Sequence, residues 1–189
     1  MENNQTILIW GAPGAGKTTF SEKLKETLGY PLVEGDYLRE VVAQREMSEA
    51  EDPFVYVGTK AAWRHYGELT NENVIKGLES VRKSMAGYVR KEIAKHSSSF
   101  IFEAAFLIPA EYTNAGCLVL VDTEDVEQHQ RQYFEHRERN ENNLLEFEAA
   151  RILRNYFLDE AIQTNALVVK NSGDMDRMTQ SFINQWEKI

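Results

Sequence analysis

Cysteine occurs once in the 189 residues, at Cys117. An internal disulfide and a cysteine-based zinc site are therefore excluded. The four histidines have no ligand spacing, so no structural metal is expected. Proline is scarce as well: Pro13, Pro31, Pro53 and Pro109 are scattered where turns are expected, and no Pro/Gly/Ser-rich linker divides the chain. No apolar run approaches the roughly 20 residues that span a bilayer. Basic residues are the minority, 21 against 30 acidic ones, giving a formal charge of −9. That balance argues against broad electrostatic binding to nucleic acid or to an anionic membrane. The opening Met1-Glu2-Asn3-Asn4-Gln5-Thr6 is polar and lacks the basic-then-apolar layout of a signal peptide. A soluble, cytoplasmic protein is expected, folded as one domain and either monomeric or homodimeric.

What is present is an alternation of strands and helices. Ile7–Trp10, Phe100–Phe102, Leu118–Val121 and Ala166–Val169 are continuous apolar runs, with Pro31–Val33 a weaker fifth. Unbroken apolarity suits parallel strands covered on both faces. Helical periodicity predicts helices over Lys17–Leu28, Asp36–Met47, Asn71–His96, Thr123–Arg137, Leu144–Gln163 and Asp174–Trp186. The stripe from Val74 to Ile93 reads as a core face, with a dimer seam as the alternative. An α/β fold with a parallel sheet follows. Two stretches leave that sheet: a mostly helical one at about 37–97 and a charged, asparagine-rich one at about 136–143.

The strongest motif is Gly11-Ala12-Pro13-Gly14-Ala15-Gly16-Lys17-Thr18, which matches G-x-x-x-x-G-K-[ST] in full. It follows a buried strand and opens a helix. Glycines let the backbone curl so that successive N–H groups face one anion. The helix N-terminus adds its positive end. Lys17 reaches the outer phosphates of ATP, and Thr18 offers a hydroxyl to Mg²⁺. Thr19 completes the nucleotide-binding set. A dinucleotide fingerprint fits worse, because the glycine spacing differs and Lys17 would lack a role.

The acceptor side is read from residues at strand ends, where open parallel sheets bind ligands. Asp36, in Gly35-Asp36-Tyr37-Leu38-Arg39, can orient or deprotonate an acceptor hydroxyl; a helix cap is the alternative. Arg39, one turn on, can hold an anionic acceptor. Glu103 ends a strand and is the favoured Mg²⁺ helper through water, with Asp122 and Asp36 as alternatives; capping of the next helix would also account for Asp122. Arg137 and Arg151 are the candidates for neutralising the transferring phosphoryl group; a solvated turn with ion pairs to Glu135, Glu138 and Glu141 is the blander reading. Lys60, Trp63 and Arg64 either line the acceptor pocket or, in the case of Trp63, anchor a helix. Cys117 reads as a strand residue, not a nucleophile.

These residues give the chain a likeness to a family. It resembles the small P-loop kinases related to 2-phosphoglycerate kinase, near the nucleoside-monophosphate and shikimate kinases. The likeness runs from about Ile7 to Asn171 and rests on Gly11–Thr19, Gly35–Val41, Val74–Leu78, Phe100–Glu103 with Leu107–Pro109, Phe134 with Arg137, and Arg151–Tyr156. Two departures lie near the acceptor and the turn: Ala104, Ala105 and Phe106 follow Glu103, and Tyr133 stands where the family often has an arginine. The resemblance implies a P-loop NTPase fold with a five-stranded parallel sheet, a helical acceptor-side insertion and a lid. It implies ATP-Mg²⁺ as donor, facing Lys17 and Thr18, and a small, often phosphorylated acceptor facing Asp36 and Arg39, with Arg137 in the lid; a small anionic or hydroxylated acceptor is expected, with Arg64 and Glu103 among the residues that bind it. A nucleoside or polynucleotide-end kinase and a nucleotide-binding switch are the alternatives. The N-K-x-D order of guanine-reading switches is missing, since Lys170-Asn171-Ser172-Gly173-Asp174 runs otherwise.

Overall fold

A computed structural model describes residues 6–187; the polar opening stretch 1–5 lies outside them. Five strands form one parallel sheet: β1 (Thr6–Trp10), β2 (Leu32–Glu34), β3 (Phe100–Glu103), β4 (Cys117–Asp122) and β5 (Leu167–Lys170). Their spatial order is β2-β3-β1-β4-β5. Each apolar run identified in the sequence became a strand, shifted by a residue at most ends. β1, β3 and β4 are buried on both faces, which explains why their apolarity does not alternate.

The two faces are covered by different helices. Ile7, Ile9, Ile101, Val119 and Val121 pack against Phe20 and Leu24 of α1 (Lys17–Leu28) and against Met178 and Phe182 of the last helix. Leu8, Trp10, Phe100, Phe102, Leu118 and Leu120 pack against two long helices, Asn71–Lys95 and Glu141–Thr164. In chain order the remaining helices are α2 (35–46), α3 (Asn71–Lys95), α4 (Val126–Phe134), α5 (Glu141–Thr164) and α6 (Met175–Trp186). Burying one large aliphatic or aromatic side chain contributes about 1.5–3 kcal/mol, so the Val74, Leu78, Val81, Met85 stripe secures α3 to the sheet.

That packing revises the expected insertion at 37–97. α3 belongs to the covering layer, and only the segment between α2 and α3 stands beside the site. Helix starts are also shifted by capping. Thr70, Asp125, Asn140 and Asp174 each accept a backbone N–H from the first turn of α3, α4, α5 and α6. The helix expected over Thr123–Arg137 thus begins at Val126, and Asp125 is its cap, not Asp122. α2 contains a π-helical stretch, Leu38–Ala43, between two short α-helical pieces. No helix among the described residues is long and apolar enough to cross a membrane.

Candidate functional site

The β1–α1 turn curls as its glycines predict. Gly16 sits at the α1 N-cap with φ 86°, and a Cβ there would lie 2.5 Å from Asn171 Nδ2. Left-handed backbone and close approach together require glycine. Lys17 is buried, and its Nζ donates to the Ala12 carbonyl at 3.2 Å.

The parallel register brings Glu103 to this turn. Glu103 lies beside Ile9 of β1 on one side and Glu34 of β2 on the other. Its carboxylate is 3.8 Å from Lys17 Nζ and accepts from Thr18 Oγ1 at 3.2 Å. Burial pushes its pKa above the usual carboxylate range, while Lys17 pulls it back down. A hydroxyl and a carboxylate that share one point form a hard oxygen donor set, which suits Mg²⁺. Asp122 does not join them. Its two oxygens pair with Arg154 Nε at 2.6 Å and Nη2 at 2.9 Å, so the carboxylate is already spent on a buried ion pair.

A cleft of about 340 Å³ opens from the phosphate loop toward α2. Lys17, Thr18, Asp36, Arg39, Glu103 and Arg137 line it together. Asp36 is exposed and pairs with Arg39 at 3.2 Å; Glu34, not Asp36, occupies the N-cap position of α2. Arg39 also bonds Glu40 at 2.8 Å. Arg137 donates to the Tyr133 carbonyl at 2.6 Å, and its guanidinium stacks 4.6 Å over the Tyr133 ring. Tyr133 thus supports the cleft arginine.

Two expected residues lie elsewhere. Arg64 bonds Glu146 at 2.7 Å and the Asn142 carbonyl at 3.2 Å, and it is not among the cleft residues. Arg151 bonds the Thr123 and Glu124 carbonyls and His129, behind the phosphate loop. Lys60 lines the cleft, as one sequence reading has it, and Thr59 beside it does so without having been singled out. Lys60 pairs with Glu146 at 2.8 Å. Trp63 is buried and its Nε1 donates to the Lys60 carbonyl at 3.0 Å, so it anchors that segment instead of lining the cleft. Gly58-Thr59-Lys60 carries no motif. Its one sequence signal is a glycine ahead of polar residues in the segment before Trp63.

Comparisons with known proteins fit this geometry. A family described as an AAA domain matches residues 10–148. Mevalonate-3-phosphate 5-kinase of Thermoplasma acidophilum is 28% identical over 112 residues, covering 57% of this chain and 54% of that protein. 2-Phosphoglycerate kinase of Methanocaldococcus jannaschii is 31% identical over 108 residues, covering 54% of this chain and 34% of that protein. The chain thus spans about half and a third of these relatives. Shikimate kinase from Acinetobacter baumannii shares the fold, with TM-score 0.59, 16% identity, and coverage of 97% of this chain and 93% of that one.

Proposed function

The chain belongs to the AAA-domain family, and we propose that it is an ATP-dependent small-molecule kinase acting on a phosphorylated or otherwise anionic hydroxy acceptor. One observation carries this reading: the phosphate loop opens into the same cleft as Asp36, Arg39, Lys60 and Arg137. Beyond the phosphate site the cleft brings the acids Asp36 and Glu40 together with three cations, a set suited to an anionic hydroxy acceptor. The two kinases compared above are each named for an acceptor that already carries a phosphate.

Each side chain then has a task. The loop N–H groups and Lys17 hold the outer phosphates of ATP. Thr18 and, through water, Glu103 would hold Mg²⁺, which when bound supplies charge neutralisation across those phosphates. Asp36 orients the acceptor hydroxyl and takes its proton as the oxygen attacks the γ-phosphorus and the bond to the β-phosphate oxygen breaks. Arg39 and Lys60 hold the acceptor's anionic group, and Arg137 faces the charge of the transferring phosphoryl. Placement and charge neutralisation account for most of the rate.

The test is ADP release from ATP-Mg²⁺ across phosphorylated acids, phosphorylated sugars, hydroxy acids and nucleosides. Acceptor-dependent release with a phosphorylated acid or sugar is expected. Lys17→Ala should lower it by about 10²–10³-fold, the scale for losing one charge-stabilising donor. A thermal shift with each acceptor gives a readout independent of turnover. Turnover with nucleosides alone would move the assignment to a nucleoside kinase. Tight nucleotide binding without turnover of any acceptor would make the chain a binding module.

A further inference from the structure

The phosphate loop is gripped from outside. His129 is fully buried, and its Nε2 lies 2.8 Å from the Pro13 carbonyl. A carbonyl only accepts, so the ring proton sits on Nε2. Nδ1 is then the acceptor, and Arg151 Nη1 donates to it at 3.2 Å. Arg151 is itself fixed by the carbonyl of Thr123 at 3.0 Å and that of Glu124 at 3.2 Å. Further along the loop, the Ala15 carbonyl accepts from Thr123 Oγ1 and from Asn171 Nδ2, each at 3.0 Å.

Peptide planarity turns this grip into a statement about the opposite side of the loop. In a trans peptide the C=O and the following N–H point in opposite directions. Holding the Pro13 carbonyl outward therefore aims the Gly14 N–H inward. Holding the Ala15 carbonyl outward does the same for the Gly16 N–H. Converging N–H groups are what an anion nest consists of. Gly14 and Gly16 have φ 82° and 86°, and glycine by itself has little steric preference for that state.

We propose that His129, oriented by Arg151, is a positioning residue that presets the phosphate nest, with Thr123 and Asn171 as its second anchor. The assignment rests on the phosphate-binding reading of the loop. It gives Arg151 a role that the sequence did not suggest: it fixes the tautomer of a histidine and does not touch the transferring phosphoryl group.

The test combines ¹⁵N relaxation on the ligand-free chain with calorimetry of Mg²⁺·ADP binding. Wild type should show rigid amides at residues 14 and 16, with order parameters of about 0.85. His129→Phe removes both hydrogen bonds at similar bulk. It should drop those order parameters below about 0.6 and weaken Mg²⁺·ADP about tenfold, the value of one such hydrogen bond. His129→Gln keeps a donor and an acceptor, and it should restore both readouts to within about threefold of wild type. Arg151→Met should fall between them. If His129→Phe does not fold, Arg151→Met carries the comparison. Folded variants whose loop stays as rigid as wild type overturn the proposal. A wild-type chain that does not bind Mg²⁺·ADP defeats the nucleotide reading instead, while the ligand-free relaxation data still decide the clamp.

Discussion

At the residue scale, the partner of a buried acid sets Glu103 apart from Asp122. Glu103 and Asp122 both end strands, and the sequence ranks them only weakly. Asp122 is 2% exposed and Arg154 14% exposed at the side chain, and their two-point bond satisfies both. Asp122→Ala should therefore cost about 3–5 kcal/mol in urea unfolding, because Arg154 is left as an uncompensated charge. Asp122→Leu with Arg154→Met should recover most of that loss and still bind Mg²⁺·ADP; failure of binding in the folded double variant would return Asp122 to the metal site. His129 gives a second, pH-dependent expectation. Burial lowers its pKa to about 4, and Arg151, Lys17 and Arg154 add to the effect against the Pro13 carbonyl and beside the Phe147 ring. The unfolded chain binds a proton near pH 6.5 and the folded chain near pH 4. Stability from this group is therefore whole above pH 6.5 and falls as the pH drops through that window, by up to about 3 kcal/mol. A urea-melt series from pH 7 to pH 4 should show this slope in wild type and a flatter one in His129→Gln.

At the element scale, close approach between helix and segment sets the acceptor side. Gly77 lies in α3, inside the stretch Val74–Leu78 that carries part of the family likeness. A Cβ there would sit 2.6 Å from the Trp63 backbone nitrogen and 2.7 Å from the Ala62 carbonyl carbon. Gly77→Ala gains about 1 kcal/mol of helix propensity. Overpacking costs about 1–3 kcal/mol, so the net effect should be destabilising. Trp63 holds the Lys60 carbonyl, so the same substitution should shift Lys60 in the cleft. A raised acceptor KM with ATP KM little changed is the expected kinetic result; equal effects on both would show that the disturbance is not local. The sequence made α3 legible through its periodicity. It also read the Val74–Ile93 stripe as a core face, which the packing bears out, but an apolar stripe does not say which layer it meets.

At the scale of the whole molecule, Glu146 joins the two flanks of the cleft. Its carboxylate pairs with Lys60 and Arg64 from the segment before α3 and accepts from Tyr133 Oη at 3.3 Å. Those cations hold its pKa below the usual carboxylate value although burial works against them. Glu146→Gln should uncouple the flanks. Hydrogen exchange should speed up about tenfold or more around residues 58–66 and 135–143 and stay unchanged in β1, β3 and β4; uniform acceleration would mean global destabilisation instead. The formal charge of −9 is thus compatible with a cleft that gathers Lys17, Arg39, Lys60 and Arg137. Sequence alone determined the five strands, the phosphate loop and the helix that follows it, because apolar runs and glycine spacing act over a few residues. It also picked out Asp36, Arg39, Glu103 and Arg137, since each stands beside a strand end or a turn. Only the tertiary structure decided that Lys60 and not Arg64 faces the cleft, that Asp122 belongs to Arg154, and that Arg151 serves His129. Those assignments depend on contacts between residues 20 to more than 100 positions apart, and the direction in which a side chain finds its partner is fixed only when the layers pack.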